Sequence, residues 1–214
     1  MRKIPSVFMR DHEGTGQVFN EVTPGCEWVL DGEGVPTRKW DGTSCMVKDG
    51  RLFKRYDRKR DRKTGEHKPA PEGWIACEDE PNEHTGHWPG WVPVDPADKA
   101  DRWHALAWRR RHQTFGHNGI LFGRTYELIG PTINGNPEDV IAFMFRLHGA
   151  DEIRWPSAIS PGLVDRTLPV NFHTIHAVLA TMPIEGLVWH HPDGRMAKVK
   201  RRDFGLPWPI PRDA

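Results

Sequence analysis

The fold is decided by residues 185–200, EGLVWHHPDGRMAKVK. The first part of this stretch contains an apolar, β-prone run, which indicates a strand. Asp193-Gly194 is a typical turn pair, so the chain is expected to return as a second strand over residues 195–200. Residues two positions apart on a strand share a face, so Lys198 and Lys200 project together. The stretch therefore predicts a hairpin that carries two neighbouring cations.

A second hairpin is predicted between residues 35 and 55. A strand over Val35–Trp40 leads into a strand over Ser44–Lys48, and the turn pair Asp49-Gly50 connects it to a third strand over Arg51–Arg55. A further strand is expected over Gly123–Gly130, and helices are expected over Asp98–Arg111, Pro137–His148 and Asn171–Thr181. These elements predict an α+β fold rich in antiparallel sheet, in a single domain over residues 1–214.

Charged residues are unevenly distributed, although the formal net charge of the 214-residue chain is only +1. From Arg51 to Lys63 there are eight Lys or Arg against two Asp, whereas Glu72–Asp101 holds eight acids against one lysine. Separated blocks of opposite charge predict a positive stripe on the surface. Along these blocks we expect a mobile basic loop over residues 57–72 and an irregular insertion over residues 79–98.

The cysteine content points to a reducing compartment. Cys26, Cys45 and Cys77 are odd in number and lack Cys-x-x-Cys spacing, which argues against a disulfide framework. No apolar run approaches the roughly 18 residues of a membrane span, and the first residues lack the apolar run of a signal peptide. We therefore expect a cytoplasmic protein with no membrane partner and no obligate protein partner.

Three short motifs suit one reaction: Lys39-x-Asp41-Gly42 (KxDG), Glu185-Gly186 and Lys198-x-Lys200. A lysine attacks phosphorus only as a neutral amine, and nearby cations or burial favour that form. The third motif would supply cations that also bind phosphate, while Glu185 offers a hard oxygen ligand for Mg²⁺. Gly42 would let the backbone lie close to a nucleotide. Each motif alone also suits an ordinary turn or strand, but their combination in this order indicates nucleotidyl transfer.

The same residues carry a resemblance to a known superfamily. Lys39-Trp40-Asp41-Gly42 resembles motif I of the covalent nucleotidyltransferases, which comprise ATP-dependent DNA and RNA ligases and mRNA capping enzymes. Four further segments are similar to motifs Ia, III, IV and V in order: Lys54–Asp57, Tyr126–Gly130, Glu185–Val188 and Ala197–Lys200. A closer similarity, to the compact ATP-dependent RNA ligases that include the human 5′-3′ RNA ligase, covers Arg124–Pro131, Asn134–Pro137, Leu147–Gly149 and Glu185–Gly205.

This resemblance implies an adenylation domain of the ATP-grasp-like ligase type without an OB domain. It implies ATP and Mg²⁺ or Mn²⁺ as cofactors, with Lys39 as the catalytic nucleophile and with Glu185 and Glu127 as metal ligands. Nucleotide binding is assigned to Thr37, Asp41, Gly42, Arg55, Glu127, Lys198 and Lys200. RNA binding is assigned to Lys54, Arg58, Arg201 and Arg202.

Aromatic residues offer further candidates. The resemblance calls for an aromatic ring on adenine, and Phe143, Phe145 and Trp155 are available, although packing of a helix against the core explains the two phenylalanines better. Trp88 and Trp91 could stack on unpaired bases, or could pin the 79–98 segment to the core, which is the favoured interpretation.

The function implied is joining of 5′-phosphate and 3′-hydroxyl RNA ends through a lysyl-AMP intermediate, as in RNA repair. Two alternatives remain open at this point. A DNA or mixed nick ligase would use the same scaffold and the same chemistry, with only the substrate differing. A non-catalytic nucleic-acid-binding module could keep the fold, but the joint presence of Lys39, Glu185, Lys198 and Lys200 argues against it.

Overall fold

The structure is a computed structural model that describes residues 3–83, 85–115, 123–158 and 166–211. The chain forms two compact units. The insert unit comprises Asp41–His148 with Met1–Lys3, and the terminal unit comprises Ile4–Trp40 with Gly149–Ala214. The prediction of one domain over residues 1–214 stays a prediction, because two compact units within one chain can still depend on each other for folding.

The elements follow one another in chain order. The strands are β1 Phe8–Arg10, β2 Val18–Val22, β3 Val35–Lys39, β4 Thr43–Lys48, β5 Arg51–Arg58, β6 Ile75–Ala76, β7 Trp88–Pro93, β8 Arg124–Ile129, β9 Met144–Leu147, β10 Ser157–Ala158, β11 Arg166–Thr167, β12 Gly186–His190 and β13 Met196–Lys200. The helices are α1 Glu27–Leu30, α2 Arg102–Phe115 and α3 Phe172–Thr181, with 3-10 turns at Lys99–Asp101 and Arg201–Phe204. No helix in the described ranges is long and apolar enough to cross a membrane.

The insert unit is a six-stranded antiparallel sheet in the order β6-β7-β5-β4-β8-β9. The predicted hairpin at its centre is confirmed, because Asp49 and Gly50 adopt φ angles of 50° and 72° and pair Lys48 with Arg51. Such left-handed turns match the twist of the strands that they join. Side chains from the sheet, from α2 and from the turn after β8 form one apolar core: Cys45, Val47, Leu52, Ala107, Tyr126, Leu128 and Ile133.

The terminal unit is built on a three-stranded antiparallel sheet in the order β13-β12-β3. The hairpin predicted from residues 185–200 is confirmed as β12 and β13. Helix α3 begins where predicted, because the side chain of Asn171 caps it by accepting a hydrogen bond from Thr174 N at 2.9 Å. Its buried residues Ile175 and Leu179 share a core with Phe8, Leu187 and Val199. The α+β class with antiparallel sheets is therefore confirmed.

The helix predicted over Pro137–His148 is wrong. The chain forms turns there and then strand β9, which pairs with β8. Asn136 and Asp139 adopt left-handed φ angles of 60° and 51°, and the Asn136 side chain bonds both the N–H and the carbonyl of Val140. A polar side chain that closes a local turn competes with helical hydrogen bonds. Ile141, which the helical spacing would bury, is 99% exposed.

Two predicted loops also contain regular structure. Strand β5 runs to Arg58, and beyond it Arg60 and His67 form an antiparallel bridge inside the basic segment 57–72. The segment 79–98 is irregular only in part, since it contains the whole of β7. This strand is easily missed because it carries two prolines and a glycine, and Gly90 is required because the Trp74 ring lies where a Cβ would stand. Cys26, Cys45 and Cys77 form no disulfide bond.

Candidate active site

The terminal unit brings three predicted lysines onto one face of its sheet. Gly186 in the central strand pairs with Lys39 on one side and with Lys200 on the other. Two residues further along β12, Val188 pairs with Lys198. Directly paired residues of antiparallel strands project from the same face, as do residues two apart on one strand. The register therefore aligns the KxDG lysine with both cations of the Lys198-x-Lys200 motif.

Lys39 is held by the carboxylate of Glu185. The distance between Lys39 Nζ and Glu185 Oε2 is 2.5 Å, and Glu185 is only 9% exposed. The position of Glu185 is fixed by its backbone, because its carbonyl accepts a hydrogen bond from Arg201 N at 2.8 Å. The nucleophile candidate and the metal-ligand candidate thus form one ion pair.

The surroundings of Lys198 disfavour the positive charge of its amine. Burial is the main cause, followed by the positive charges of Lys39 and Lys200, and together they lower the pKa of Lys198 from 10.5 to about 8. Both backbone polar groups of Lys198 are hydrogen-bonded, because its N–H donates to the Pro5 carbonyl and its carbonyl accepts from Val7 N. The side chain is therefore held at a position where an incoming anion would relieve an electrostatic cost.

This lowered pKa predicts a pH dependence of stability. Between about pH 8 and pH 10.5 the unfolded chain holds a proton on Lys198 that the folded protein has lost. The free energy of unfolding contributed by Lys198 should therefore rise with pH across that window. Urea unfolding of the wild type and of Lys198→Met at pH 7 and pH 10 measures this. The wild type should gain stability relative to the variant at the higher pH. If the difference in free energy of unfolding between the two proteins is the same at both pH values, the burial of the charge is contradicted.

The hydroxyl of Thr37 is used within the fold. The residue is 2% exposed, and its Oγ1 donates to the carbonyl of Val188 at 3.0 Å. The hydroxyl thus ties β3 to β12, because a buried hydroxyl needs a hydrogen-bond partner. Nucleotide binding by Thr37 stays a prediction.

The insert unit holds the second half of the KxDG motif with side chains from a separate loop. Asp41 N donates to Glu138 Oε1 at 2.7 Å, and Asn134 Nδ2 donates to Gly42 O at 2.7 Å and to Asp41 Oδ1 at 3.1 Å. A Cβ at position 42 would lie 2.3 Å from the Leu128 carbonyl oxygen. Glycine is therefore required by the neighbouring strand, whatever it also allows for a nucleotide.

Glu127 is fixed by two partners in the same unit. Its Oε1 accepts from Gly42 N at 3.2 Å, and its Oε2 lies 2.9 Å from His148 Nε2. His148 Nδ1 lies 2.9 Å from the hydroxyl of Thr125. Because a carboxylate can only accept, Nε2 carries a hydrogen, and the Thr125 hydroxyl suits the other ring nitrogen. Glu127 therefore couples strand β8 to the KxDG turn.

Asn134, Glu138 and His148 were not assigned roles from the sequence. Asn134–Pro137 and Leu147–Gly149 carry part of the family resemblance, but nothing local shows which backbone atoms those side chains reach. The pairing of β9 with β8, and the left-handed backbone of Asn134 at φ 48°, bring them to the turn. In the sequence, the only indication of a role for these residues is the polar character of their short segments.

The remaining residues predicted in the insert unit have local partners. Lys54 forms an ion pair with the buried carboxylate of Asp101, and Arg55 Nε donates to Asp57 Oδ1 at 2.9 Å. Arg58 donates from Nη2 to the Lys68 carbonyl at 2.9 Å. Lys54 and Arg58 therefore stabilise the fold, and any contact with RNA stays a prediction for them.

The residues present fit a divalent cation that arrives with phosphate. No group of three His, Cys, Asp or Glu side chains within the described residues could hold a metal ion by itself. Glu185 supplies one buried carboxylate beside Lys39, on a sheet face that carries two more lysines. Mg²⁺ is commonly bound by one or two carboxylates together with substrate phosphates and water. Glu185 is the carboxylate of this face, and a nucleotide would bring the phosphates.

Comparison with known proteins shows the family of the chain. The family model of RNA ligase 1 matches residues 119–214. RNA ligase 1 of Pongo abelii is 32% identical, over 98% of this chain and 82% of the relative. RNA ligase 1 of Rattus norvegicus is 30% identical over the same shares. The chain belongs to the RNA ligase 1 family. The interval matched by the RNA ligase 1 model contains Glu127, Glu185 and the Lys198-x-Lys200 motif.

One basic residue predicted to bind RNA is instead buried in this RNA ligase 1 family member. Arg201 is 4% exposed, and its guanidinium donates to the carbonyls of Leu179, Met182 and Pro207. Its hydrogen-bonding groups face the protein interior, and RNA binding by Arg201 stays a prediction. Arg202 is exposed and donates to the Trp208 carbonyl at 2.7 Å, so its RNA contact stays a prediction.

Replacement of Arg201 should therefore lower stability. Arg201→Met leaves three carbonyl groups without their donor, and the expected loss is about 2–4 kcal/mol in the free energy of unfolding. Urea denaturation measures it, with Arg202→Met as the matched control and an expected loss below about 1 kcal/mol. Similar small losses for both variants would show that the buried guanidinium contributes little.

The adenine-stacking candidates of the RNA ligase 1 family member are all packed against other rings. Phe143 stacks on Trp103 with ring centres 5.6 Å apart, and Phe145 meets Tyr126 edge-on at 6.2 Å. Trp155 lies 6.2 Å from Trp189 and donates to the Leu168 carbonyl. The two phenylalanines pack as expected, but on turns and a strand rather than on a helix.

Proposed function

We propose that this protein is an ATP-dependent RNA ligase that joins 5′-phosphate and 3′-hydroxyl ends through a lysyl-AMP intermediate on Lys39. One observation carries the proposal: Lys39 shares a sheet face with Lys198 and Lys200, and Glu185 contacts its amine. This is a nucleophile, a carboxylate and two phosphate-binding cations in one place. The names of its relatives, RNA ligase 1, support RNA as the substrate.

In the first step, the Lys39 nitrogen attacks the α-phosphorus of ATP. A nitrogen–phosphorus bond forms, the bond from that phosphorus to the bridging oxygen breaks, and pyrophosphate leaves. The Lys39 ammonium loses one proton before the attack and a second one once the nitrogen–phosphorus bond has formed. The Glu185 carboxylate, in direct contact with the amine, accepts one of them, and the other passes to solvent. Lys198 and Lys200 stabilise the negative charge that develops on the phosphoryl oxygens.

The second and third steps move the AMP group and then release it. A 5′-phosphate oxygen of RNA attacks the adenylyl phosphorus, and the bond to Lys39 breaks with return of a proton to its nitrogen. The 3′-hydroxyl oxygen then attacks the activated 5′-phosphorus, loses its proton and displaces AMP. Each step is an in-line displacement at phosphorus, so the same cationic face can serve all three.

Glu185 is the residue of this face that would hold Mg²⁺ or Mn²⁺, together with phosphate oxygens. When bound, such an ion would neutralise negative charge on the phosphates. We also propose that Asp41, Gly42, Arg55 and Glu127 contribute to nucleotide binding, as the family resemblance implies.

The experiment that tests the proposal weighs the intact protein after incubation with ATP or GTP and with Mg²⁺ or Mn²⁺. An AMP adduct with ATP is expected, and no GMP adduct. Single-stranded and nicked RNA and DNA with labelled 5′-phosphates are then offered to the adduct. Sealing of RNA alone supports the proposal, sealing of DNA with equal efficiency makes the enzyme a general nick ligase, and the lack of any adduct overturns nucleotidyl transfer.

A further inference from the structure

The basic segment after β5 is a structured hairpin, here called the basic hairpin and defined as Lys59–Lys68. Arg60 pairs with His67, and Lys68 N donates to the Lys59 carbonyl. The turn is closed by Asp61, whose N–H donates to the Glu66 carbonyl and whose carbonyl accepts from Gly65 N. The segment predicted as a mobile loop thus continues the antiparallel course of the sheet.

The base of the basic hairpin is anchored by a cluster of aromatic and cationic side chains. Arg58 lies over the rings of Trp74 and Trp88 at 4.8 and 4.9 Å, and both its Nε and Nη2 donate to the Lys68 carbonyl. On the other arm, His67 Nε2 lies 2.7 Å from the Gly86 carbonyl. A guanidinium held over two aromatic rings and hydrogen-bonded to the opposite arm supports the base of the hairpin.

The tryptophans around the base of the basic hairpin already pack or hydrogen-bond within the fold. Trp88 Nε1 donates to the Glu78 carbonyl at 2.8 Å, and Trp91 is 2% exposed. The Trp74 ring packs on Gly90 and edge-on against Trp88, with ring centres 5.3 Å apart. Base stacking would need an open ring face, so the aromatic cluster suits a structural role, and recognition falls to the hairpin itself.

The basic hairpin presents five exposed cations: Lys59, Arg60, Arg62, Lys63 and Lys68. Within the described part of the chain, no carboxylate forms an ion pair with any of them. Of its two acids, Asp61 is occupied inside the turn, where hydrogen bonds from the backbone of Lys63 and Thr64 lower its pKa. The surface therefore keeps a net positive charge on an ordered scaffold.

We infer that the basic hairpin is a binding surface for the sugar–phosphate backbone of RNA, independent of base sequence. The inference rests on the proposed RNA ligase function and names how its substrate is held. A chain of phosphates is complementary to cations spread over two short arms and the turn that joins them. A polyanion with regularly spaced charges uses such a surface better than a small anion does.

The test compares wild type with the double variant Arg62→Glu/Lys63→Glu at the hairpin tip. Affinity for a labelled, 5′-phosphorylated single-stranded RNA is measured over a range of salt concentrations, without nucleotide or divalent metal. Loss of two phosphate contacts should reduce the slope of log affinity against log salt by about 1.4, and affinity near 0.1 M salt should fall at least about tenfold. Homopolymers of different bases should lose affinity equally.

The matched control is Lys99→Glu/Arg109→Glu, which makes the same charge change on exposed residues of the same unit outside the hairpin. Its affinity should fall less than about threefold. AMP adduct formation should be normal in both double variants, which separates the hairpin from nucleotidyl transfer. Thermal unfolding of each variant shows whether the fold is kept.

Three results would overturn the inference while leaving the proposed ligase in place. Hairpin and control variants could lose RNA affinity equally. The hairpin variant could keep its RNA affinity and lose adduct formation, which would assign the hairpin to the nucleotide. Poly-glutamate could compete as well as RNA, which would make the surface a general site for acidic chains. Failure of the wild type to form any adduct overturns the proposed function instead.

Discussion

Lys39→Arg is expected to abolish the AMP adduct, lowering its rate of formation by at least about 10³-fold. Arginine keeps a cation for the Glu185 carboxylate, so the contact of 2.5 Å that Lys39 makes can be replaced in kind. It does not supply a nucleophile, because a guanidinium stays protonated in proteins. Intact mass after incubation with ATP and Mg²⁺ or Mn²⁺ measures the adduct directly.

The matched control for this prediction is Lys48→Arg, at the exposed end of β4. It makes the same chemical change at a residue that has no proposed role, and full adduct formation is expected. An adduct that persists in Lys39→Arg would place the nucleophile elsewhere, and peptide mapping of the modified lysine would then locate it. A pre-adenylylated RNA offered to Lys39→Arg should still be sealed, because that step does not use the lysine as a nucleophile.

Glu185→Gln is expected to lower the rate of adduct formation by about 10²–10³-fold at a fixed metal concentration. The substitution keeps the shape of the side chain and removes its charge, so Lys39 loses its ion-pair partner and Lys198 loses a nearby negative charge. The concentration of Mg²⁺ or Mn²⁺ that gives half the maximal rate should rise about 10–100-fold. Rates measured over a metal titration separate the two effects.

Glu33→Gln is the control for the second prediction, since Glu33 is an exposed carboxylate of the same unit that contacts His191 at 2.9 Å. It should leave both rate and metal requirement unchanged. Glu185→Gln should also destabilise the protein by about 1–3 kcal/mol, because a partly buried ammonium is left beside an amide. A variant with normal metal dependence and a slow rate would assign Glu185 to orienting Lys39 rather than to holding metal.

Local patterns predicted the elements with a simple period. Strands β12 and β13 follow from an apolar run, a turn pair and alternating cations, and helix α3 follows from the cap at Asn171. The segment 137–148 shows where such patterns fail. Its apolar residues fit a helical spacing, yet the side-chain bonds of Asn136 and the pairing with β8 make it turns and a strand. Strand pairing is a long-range property that a local period does not contain.

The same distinction applies to the individual side chains of the candidate site. Lys39, Glu185, Lys198 and Lys200 were identified as a set, and the structure places all four on or beside one sheet face. Arg201 stands next to that set in the chain, yet its guanidinium is buried. The sequence shows that an arginine is charged, but its hydrogen-bond partners depend on which carbonyl groups folding brings near it.

The chemical groups available to this protein follow from local sequence patterns: an amine, a carboxylate and paired cations at positions whose strand register follows from alternation. The partner of each charged group depends on how the chain folds. The tertiary structure paired Lys39 with Glu185, turned Arg201 inward and placed Asn134 and His148 around the KxDG turn and its neighbouring strand. The physical reason is that hydrogen-bond and ion-pair partners lie far apart in the chain, so side-chain roles depend on contacts that form only on folding.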